Sequence, residues 1–306
     1  MTGLRQGSIH LFRAAGIDVY LHWSWFLVVA YEIQDGTRTY SSLSWNTFEY
    51  VGLFLIVMIH EFGHALACRQ VGGTSNQIIL WPLGGIAYVN PPPRPGATLW
   101  SIAAGPLVNV ALVPILWAPG ALMRQSGLAG AMPETSALLH TVWIMNLVLL
   151  IFNLLPIYPL DGGQILRALL WYVLGRARSL MVATIIGFAG VAGLIALAVW
   201  RQSAWFGVIA VFVTLNCWNG LRAARALSRM EKMPRREGFS CPSCGEAPPE
   251  GDYWKCTRCT HVFDTFQYQG VCPLCAARFD AARCLNCGAL HPMREWIAPA
   301  GVAVKV

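Results

Sequence analysis

His60-Glu61-Phe62-Gly63-His64 lies inside an apolar stretch that runs from Tyr50 to Cys68. On a helix, side chains four residues apart share one face. Two histidines at that spacing can offer ring nitrogens to one zinc ion. The glutamate directly after the first histidine comes near the metal's open coordination position, where it can take a proton from a bound water. In a soluble loop so short a pattern would carry little information. In a segment hydrophobic enough to enter a bilayer, ionisable groups are costly and mark function. The neighbouring sequence offers no compensating setting for three merely solvated residues.

Catalytic zinc takes three protein ligands and keeps a fourth position for water. The remaining candidate is Asp161, near the end of Asn153-Leu154-Leu155-Pro156-Ile157-Tyr158-Pro159-Leu160-Asp161-Gly162-Gly163. Pro156 and Pro159 close an otherwise helical apolar run, and the glycines permit close approach. The competing reading is a helix terminus capped by Asp161. The topology argued below favours the ligand, because it brings Asp161 level with His60 and His64.

His60 to His64 and Asn153 to Gly162 together resemble the signature pair of the site-2 protease family of intramembrane zinc metalloproteases. Gly105-Pro106-Leu107-Val108-Asn109 resembles an element of that family's third core span, and Trp81-Pro82-Leu83-Gly84-Gly85 resembles its membrane-embedded hairpin. The resemblance covers roughly residues 10–221. It implies an endopeptidase that hydrolyses peptide bonds in transmembrane segments of membrane-tethered proteins, in regulated intramembrane proteolysis. It also implies zinc held by His60, His64 and Asp161, with Glu61 as general base and Asn153 bonding the substrate backbone or the developing oxyanion. Two rivals are a non-catalytic scaffold or chaperone and a zinc transporter. The intact Glu61 argues against the first. The concentration of ligands at one helix turn and one kink argues against the second.

These residues need a membrane to position them. Apolar residues make up 56% of the chain and charged ones only 12%, against about 25% charged in soluble domains, and mean hydropathy is +0.49. No short apolar core with a small-residue cleavage site opens the chain, so the first span is expected to serve as the targeting signal. Six segments approach the roughly 20 residues that a span needs: 17–33, 47–68, 97–118, 136–159, 180–200 and 203–221. Gln77 to Val89 is too short to cross and reads as a membrane-embedded β-hairpin or short sheet. The expected fold is thus an α-helical multi-pass membrane protein with about six transmembrane helices, a short β-hairpin and a small cytoplasmic zinc-ribbon domain.

The net charge of +7 invites a nucleic-acid reading. Yet Arg222, Arg225, Arg229, Lys232, Arg235 and Arg236 cluster just after the last span, as juxtamembrane cytoplasmic positions do. With both termini cytoplasmic in the cell membrane, that side also takes Arg5, Arg13, Arg69, Arg94, Arg167, Arg176 and Arg178, and the other side only Arg38, Arg124 and Arg201. His60 and His64 then lie about 6–12 Å inside the cytoplasmic end of the second span, and the fourth span delivers Asp161 to the same depth. His22 reads either as a cavity-lining group or as an interfacial anchor beside Trp23 and Trp25. His140, Asn146, Asn216 and Asn219 read as interhelical hydrogen-bonding groups, and Cys68 and Cys217 as small packing residues.

Eight of the ten cysteines form four Cys-x-x-Cys pairs: Cys241/Cys244, Cys256/Cys259, Cys272/Cys275 and Cys284/Cys287. A reducing cytoplasm argues against disulfides, and the spacing suits closed four-cysteine zinc sites. Two structural zinc ions are expected beside the catalytic one. The intervening segments of eleven and eight residues favour sequential pairing, the first two knuckles together and then the last two. Between 241 and 287 four basic side chains face five acidic ones, so the ribbons lack a nucleic-acid binder's basic footprint. They are expected to bind protein: substrate, partner or a second copy. The organisation reads as a metalloprotease domain over 1–225, a basic juxtamembrane linker over 226–240, a double zinc ribbon over 241–290 and a C-terminal tail over 291–306. Transmembrane substrate and membrane lipid are the other partners.

Overall fold

Among the described residues, five helices are each long and apolar enough to cross a bilayer: Ser44–Gln70, Pro95–Gln125, Pro133–Leu154, Arg176–Arg201 and Phe206–Glu231. The structure, a computed structural model, describes residues 7–26, 40, 42–81 and 84–297. The chain divides into two compact units, Met1–Ala224 and Arg225–Val306. It is a multi-pass helical membrane protein with a cysteine-rich second unit.

The N-terminal part differs from expectation. Hydropathy over 17–33 predicts a span, but the first third of that segment is a strand. β1 (Ser8–Ala14) and β2 (Ile17–His22) form an antiparallel hairpin. Ile17 and Val19 are fully buried while Asp18 and Tyr20 are not. That period-2 alternation of β-branched residues with polar ones is a half-buried strand, which a hydropathy window averages into a weak helix. The rest of that predicted span, beyond Phe26, lies outside the described residues.

α1 (Leu43–Gln70) follows and carries His60, Glu61 and His64. It stops where Gly72 takes a φ of +83°; Gly72 and Gly73 donate to the carbonyls of Arg69 and Cys68, closing the helix end. The chain then enters β3 (Thr74–Trp81) and β4 (Gly84–Asn90). The expected hairpin is therefore half of a four-stranded sheet of order β1-β2-β3-β4. β2 and β3 pair in parallel across the α1 crossover, and β3 and β4 pair antiparallel. The hairpin tip, Pro82 and Leu83, lies outside the described residues. Ile17, Val19, Ile78 and Leu80 of the sheet pack with Val57 and Ala65 of α1 in one core, so the sheet fixes the rotation of the helix that bears the histidines.

α2 (Pro95–Gln125) and α3 (Pro133–Leu154) each start on proline, which supplies a helical φ and needs no donor at that position. α4 (Asp161–Leu174) is too short to span and falls in a stretch that hydropathy leaves between spans. α2 touches α1, α3 and α4. α5 (Arg176–Arg201) and α6 (Ala204–Glu231) complete the set.

The second unit has little regular structure. Two short antiparallel pairs, β5 (Trp254–Lys255) with β6 (Val262–Phe263) and β7 (Ala281–Arg283) with β8 (Leu290–Pro292), frame two small cores. Trp254, Phe266 and Trp296 stack edge to face at 5.2 and 4.9 Å. Asp264, 1% exposed, accepts from the backbone N–H groups of Gly251, Phe266 and Gln267 and from the Arg236 guanidinium. Arg235 donates to the Met230 and Ala247 carbonyls. The stretch 226–240 assigned to a linker thus carries the end of α6 and these contacts. The tail's Trp296 is buried and Ile297 bridges Phe239; residues beyond 297 lie outside the described part.

Candidate metal centre and cysteine sites

His60, Glu61 and His64 are buried on α1, 3–6% exposed, although α1 as a whole is lipid-like in composition. Asp161 opens α4 after the turn through Pro156 and Pro159. That turn is pinned from α5, where a Cβ at Gly187 would lie 2.9 Å from the Tyr158 carbonyl oxygen, and from α6. Cys217 Sγ donates to the Tyr158 carbonyl at 3.0 Å, and a Cβ at Gly220 would meet the Tyr158 ring at 2.8 Å. Gly162 and Gly163 lie against the backbone of 154–158 so closely that any side chain there would collide with it. The chain can therefore double back, and Asp161 reaches α1.

The helix cap of α4 is Leu160, and no side chain caps it. Asp161 instead directs its carboxylate at the histidines. Its Oδ2 is 3.1 Å from His60 Nε2 and 3.3 Å from His64 Nε2, and the two Nε2 atoms are 3.1 Å apart. The far ring nitrogens are already engaged: His60 Nδ1 with Asn109 Oδ1 at 2.6 Å and His64 Nδ1 with the Ser101 carbonyl at 3.0 Å. Both acceptors require the proton on Nδ1, so both Nε2 atoms present lone pairs inward. Asp161 Oδ2 finds no hydrogen-bond donor among the described residues. Three buried lone pairs facing one point are mutually repulsive without a cation. Their spacing matches the roughly 3.3 Å edge of a tetrahedral zinc site with bonds of about 2.0–2.1 Å. The residues therefore fit a metal ion, and His60, His64 and Asp161 could hold one.

These residues open onto a cavity of about 370 Å³, lined also by Glu61, Asn153, Gln164 and Asn216 and by apolar side chains including Val57, Ile102 and Phe152. Glu61 Oε2 accepts the Ala87 N–H at 2.9 Å, from β4 at the sheet edge. Asn216 donates to the Phe212 carbonyl of its own helix, a bond within α6. His22 bonds Ser24 and is absent from the cavity lining among the described residues.

Sequence reasoning leaves three contributors without a role. Gly105 sits where an added Cβ would collide with the His64 imidazole and lie 2.8 Å from His60 Nε2. Gly85 likewise abuts the Glu61 side chain. Asn109 holds His60. Glycine and asparagine inside or beside apolar spans are the available signals. Gly105→Ala is expected to push the imidazoles off position and to lower turnover about 100-fold, the typical cost of roughly 1 Å of misplacement. A purified Gly105→Ala variant with wild-type turnover would refute that tight fit.

The cysteines converge as two sets, Cys241/Cys244/Cys284/Cys287 and Cys256/Cys259/Cys272/Cys275. Sequential pairing is thus overturned. The outer knuckles pair with each other and enclose the inner pair. Loop-closure cost grows only slowly with length, so short segments are a weak guide. Sulfur–sulfur distances of 3.6–3.7 Å are far from a disulfide's length and near the roughly 3.8 Å edge of a tetrahedral zinc–thiolate site. All four knuckles share one backbone form. The N–H four residues after each first cysteine returns to that cysteine's carbonyl, and the residue after each second cysteine takes positive φ: Gly245, Thr260, Ala276 and Gly288. Aromatic packing supports the nesting. Cys241 and Cys284 share a core with Trp254, Phe266 and Trp296, while Cys256 and Cys272 share one with Phe263.

Comparison with known proteins agrees with this geometry. A sequence model of peptidase family M50 matches residues 48–137 and 122–197. The chain is 33% identical over 180 residues to a zinc metalloprotease of Methanocaldococcus jannaschii, covering 59% of this chain and 50% of that one. It is 34% identical over 122 residues to stage IV sporulation protein FB of Bacillus subtilis, covering 37% of each. The chain thus spans about half or less of the length of these curated relatives. The solved site-2 protease from Methanocaldococcus jannaschii superposes with a TM-score of 0.52 at 27% identity, covering 70% of this chain and 95% of that one. With its buried His-Glu-x-x-His helix and the converging Asp161, the chain matches peptidase family M50 over residues 48–197 and is similar to zinc metalloproteases of the site-2 protease type.

Proposed function

We propose that the protein is an intramembrane zinc endopeptidase that cuts transmembrane segments of membrane-tethered proteins, with His60, His64 and Asp161 holding the metal. The observation that carries the reading is the convergence of three buried, donorless ligand atoms on a cavity that Glu61 also lines. Zinc, when bound there, would acidify a water and polarise the scissile carbonyl. The chain's own residues do the rest. Glu61 has one oxygen fixed by the Ala87 N–H, which leaves the other to take the water's proton and return it to the leaving amine. Asn153 at the cavity wall offers a donor for the oxyanion or for the unwound substrate backbone. The apolar lining accommodates a side chain from a membrane segment and keeps bulk water out. A substrate helix must unwind locally to expose its carbonyl, so helix-weak substrate segments are preferred.

The test is cleavage of a single-span substrate by the purified full chain in detergent. Chelation should abolish cutting, and added zinc should restore it. Cleavage that survives complete removal of zinc would refute the reading.

The distribution of arginines supports cytoplasmic termini. Trypsin should cut after Arg229 in inside-out vesicles and leave that bond intact in sealed right-side-out ones; the reverse pattern would invert the topology. The ribbon unit takes two structural zinc ions and serves as a protein-binding module, in keeping with its near-neutral charge.

A further inference from the structure

Asn109 is completely buried in α2. Its side-chain oxygen meets His60 Nδ1 at 2.6 Å, while its amide nitrogen has no partner among the described residues. Asn146 of α3, also fully buried, donates to the Asn109 backbone carbonyl at 3.0 Å and leaves its own oxygen without a partner among the described residues. An unpaired buried amide group is destabilising, and leucine has the same branched skeleton of four side-chain heavy atoms. Packing alone would therefore favour leucine at both positions. The one thing that the Asn109 amide supplies and leucine cannot is an acceptor for the His60 N–H.

We propose that Asn109 is a positioning residue that fixes the tautomer and ring orientation of His60, and that Asn146 braces the α2 backbone that carries it. This rests on the reading of His60, His64 and Asp161 as a metal site. The free imidazole can place its proton on either nitrogen. With Asn109 accepting from Nδ1, the Nε2 lone pair faces Asp161 and His64. Without that acceptor, the proton moves to Nε2 and is satisfied by Asp161 Oδ2, 3.1 Å away. That arrangement is comfortable for the metal-free protein and wrong for a ligand. The same logic serves His64 through the Ser101 carbonyl, but a backbone acceptor cannot be removed by substitution, which makes Asn109 the informative position.

The experiment is zinc competition against a chromophoric chelator on the full chain, with His60→Ala as the baseline that reports ribbon zinc alone, together with thermal unfolding of the metal-free proteins. Loss of such a partner typically weakens metal binding 10–100-fold. Asn109→Leu should show that loss for the His60-dependent zinc, with an apo unfolding midpoint equal to or above wild type. Asn109→Asp keeps an acceptor and should stay within about threefold of wild-type affinity, since the carboxylate takes the same proton. Asn146→Leu should fall between them. If His60→Ala loses its zinc while Asn109→Leu retains wild-type affinity, the proposal is wrong and the metal site stands. If Asn109→Asp loses zinc as fully as Asn109→Leu and both unfold earlier, Asn109 is a packing residue and the proposal is again wrong. If His60→Ala loses no zinc at all, the metal site itself fails and the proposal falls with it.

Discussion

Glu61→Gln is expected to lower peptide cleavage by at least about 100-fold, and up to about 10,000-fold, while zinc bound to the membrane unit stays at wild-type occupancy. The size follows from the typical worth of a positioned general base. The separation of the two readouts follows from geometry. Three other groups converge as ligand atoms, whereas Glu61 points one oxygen at the Ala87 N–H. Glutamine keeps an oxygen acceptor for that N–H and the same volume, so the sheet edge and the cavity wall should be undisturbed. It cannot accept a proton from water. Metal content by elemental analysis and cleavage by gel assay on one preparation decide the matter. Loss of metal together with activity would make Glu61 a ligand, and retained turnover would remove it from the chemistry.

The second large effect concerns the ribbon. Structural zinc at a four-cysteine site contributes about 10–16 kcal/mol of apparent binding free energy, and a small unit with two short strand pairs has little else to hold it. Nested pairing makes a stoichiometric prediction. Cys241→Ser combined with Cys284→Ser should remove one ribbon ion and leave the Cys256 set loaded. Cys241→Ser combined with Cys256→Ser should remove both. Sequential pairing predicts the opposite outcome for the two double variants. Zinc counted by native mass spectrometry therefore distinguishes the arrangements directly.

The candidate metal centre is legible in the sequence because His60, His64 and Asp161 are rare residue types in an apolar setting, and ionisable groups there need a reason. His60, Glu61, His64 and Asp161 come together as their spacing and the turn prolines suggest. What escapes is carried by residues without chemical signatures of their own. Ile17 and Val19 read as membrane residues because hydropathy ignores alternation, although Asp18, Tyr20 and His22 between and beyond them mark a strand. The role of Gly105 depends on how closely α1 and α2 approach, a packing fact that no single helix encodes. The short helix α4 hides in a stretch too brief to count as a span. Knuckle pairing is a property of the fold, since four equivalent Cys-x-x-Cys units look alike in sequence; only the aromatic cores that flank them distinguish partners.

The central claim is that Glu61 and the histidine–aspartate cluster hydrolyse a peptide bond within a membrane segment. The direct measurement is mass-spectrometric mapping of the products when the purified full chain meets a single-span substrate in detergent or vesicles, with Glu61→Gln run in parallel. The account predicts paired fragments whose new termini fall inside the hydrophobic segment, formed by the wild-type chain and absent with Glu61→Gln. Termini only in the extramembrane parts of the substrate, or the same fragments from both proteins, would contradict it.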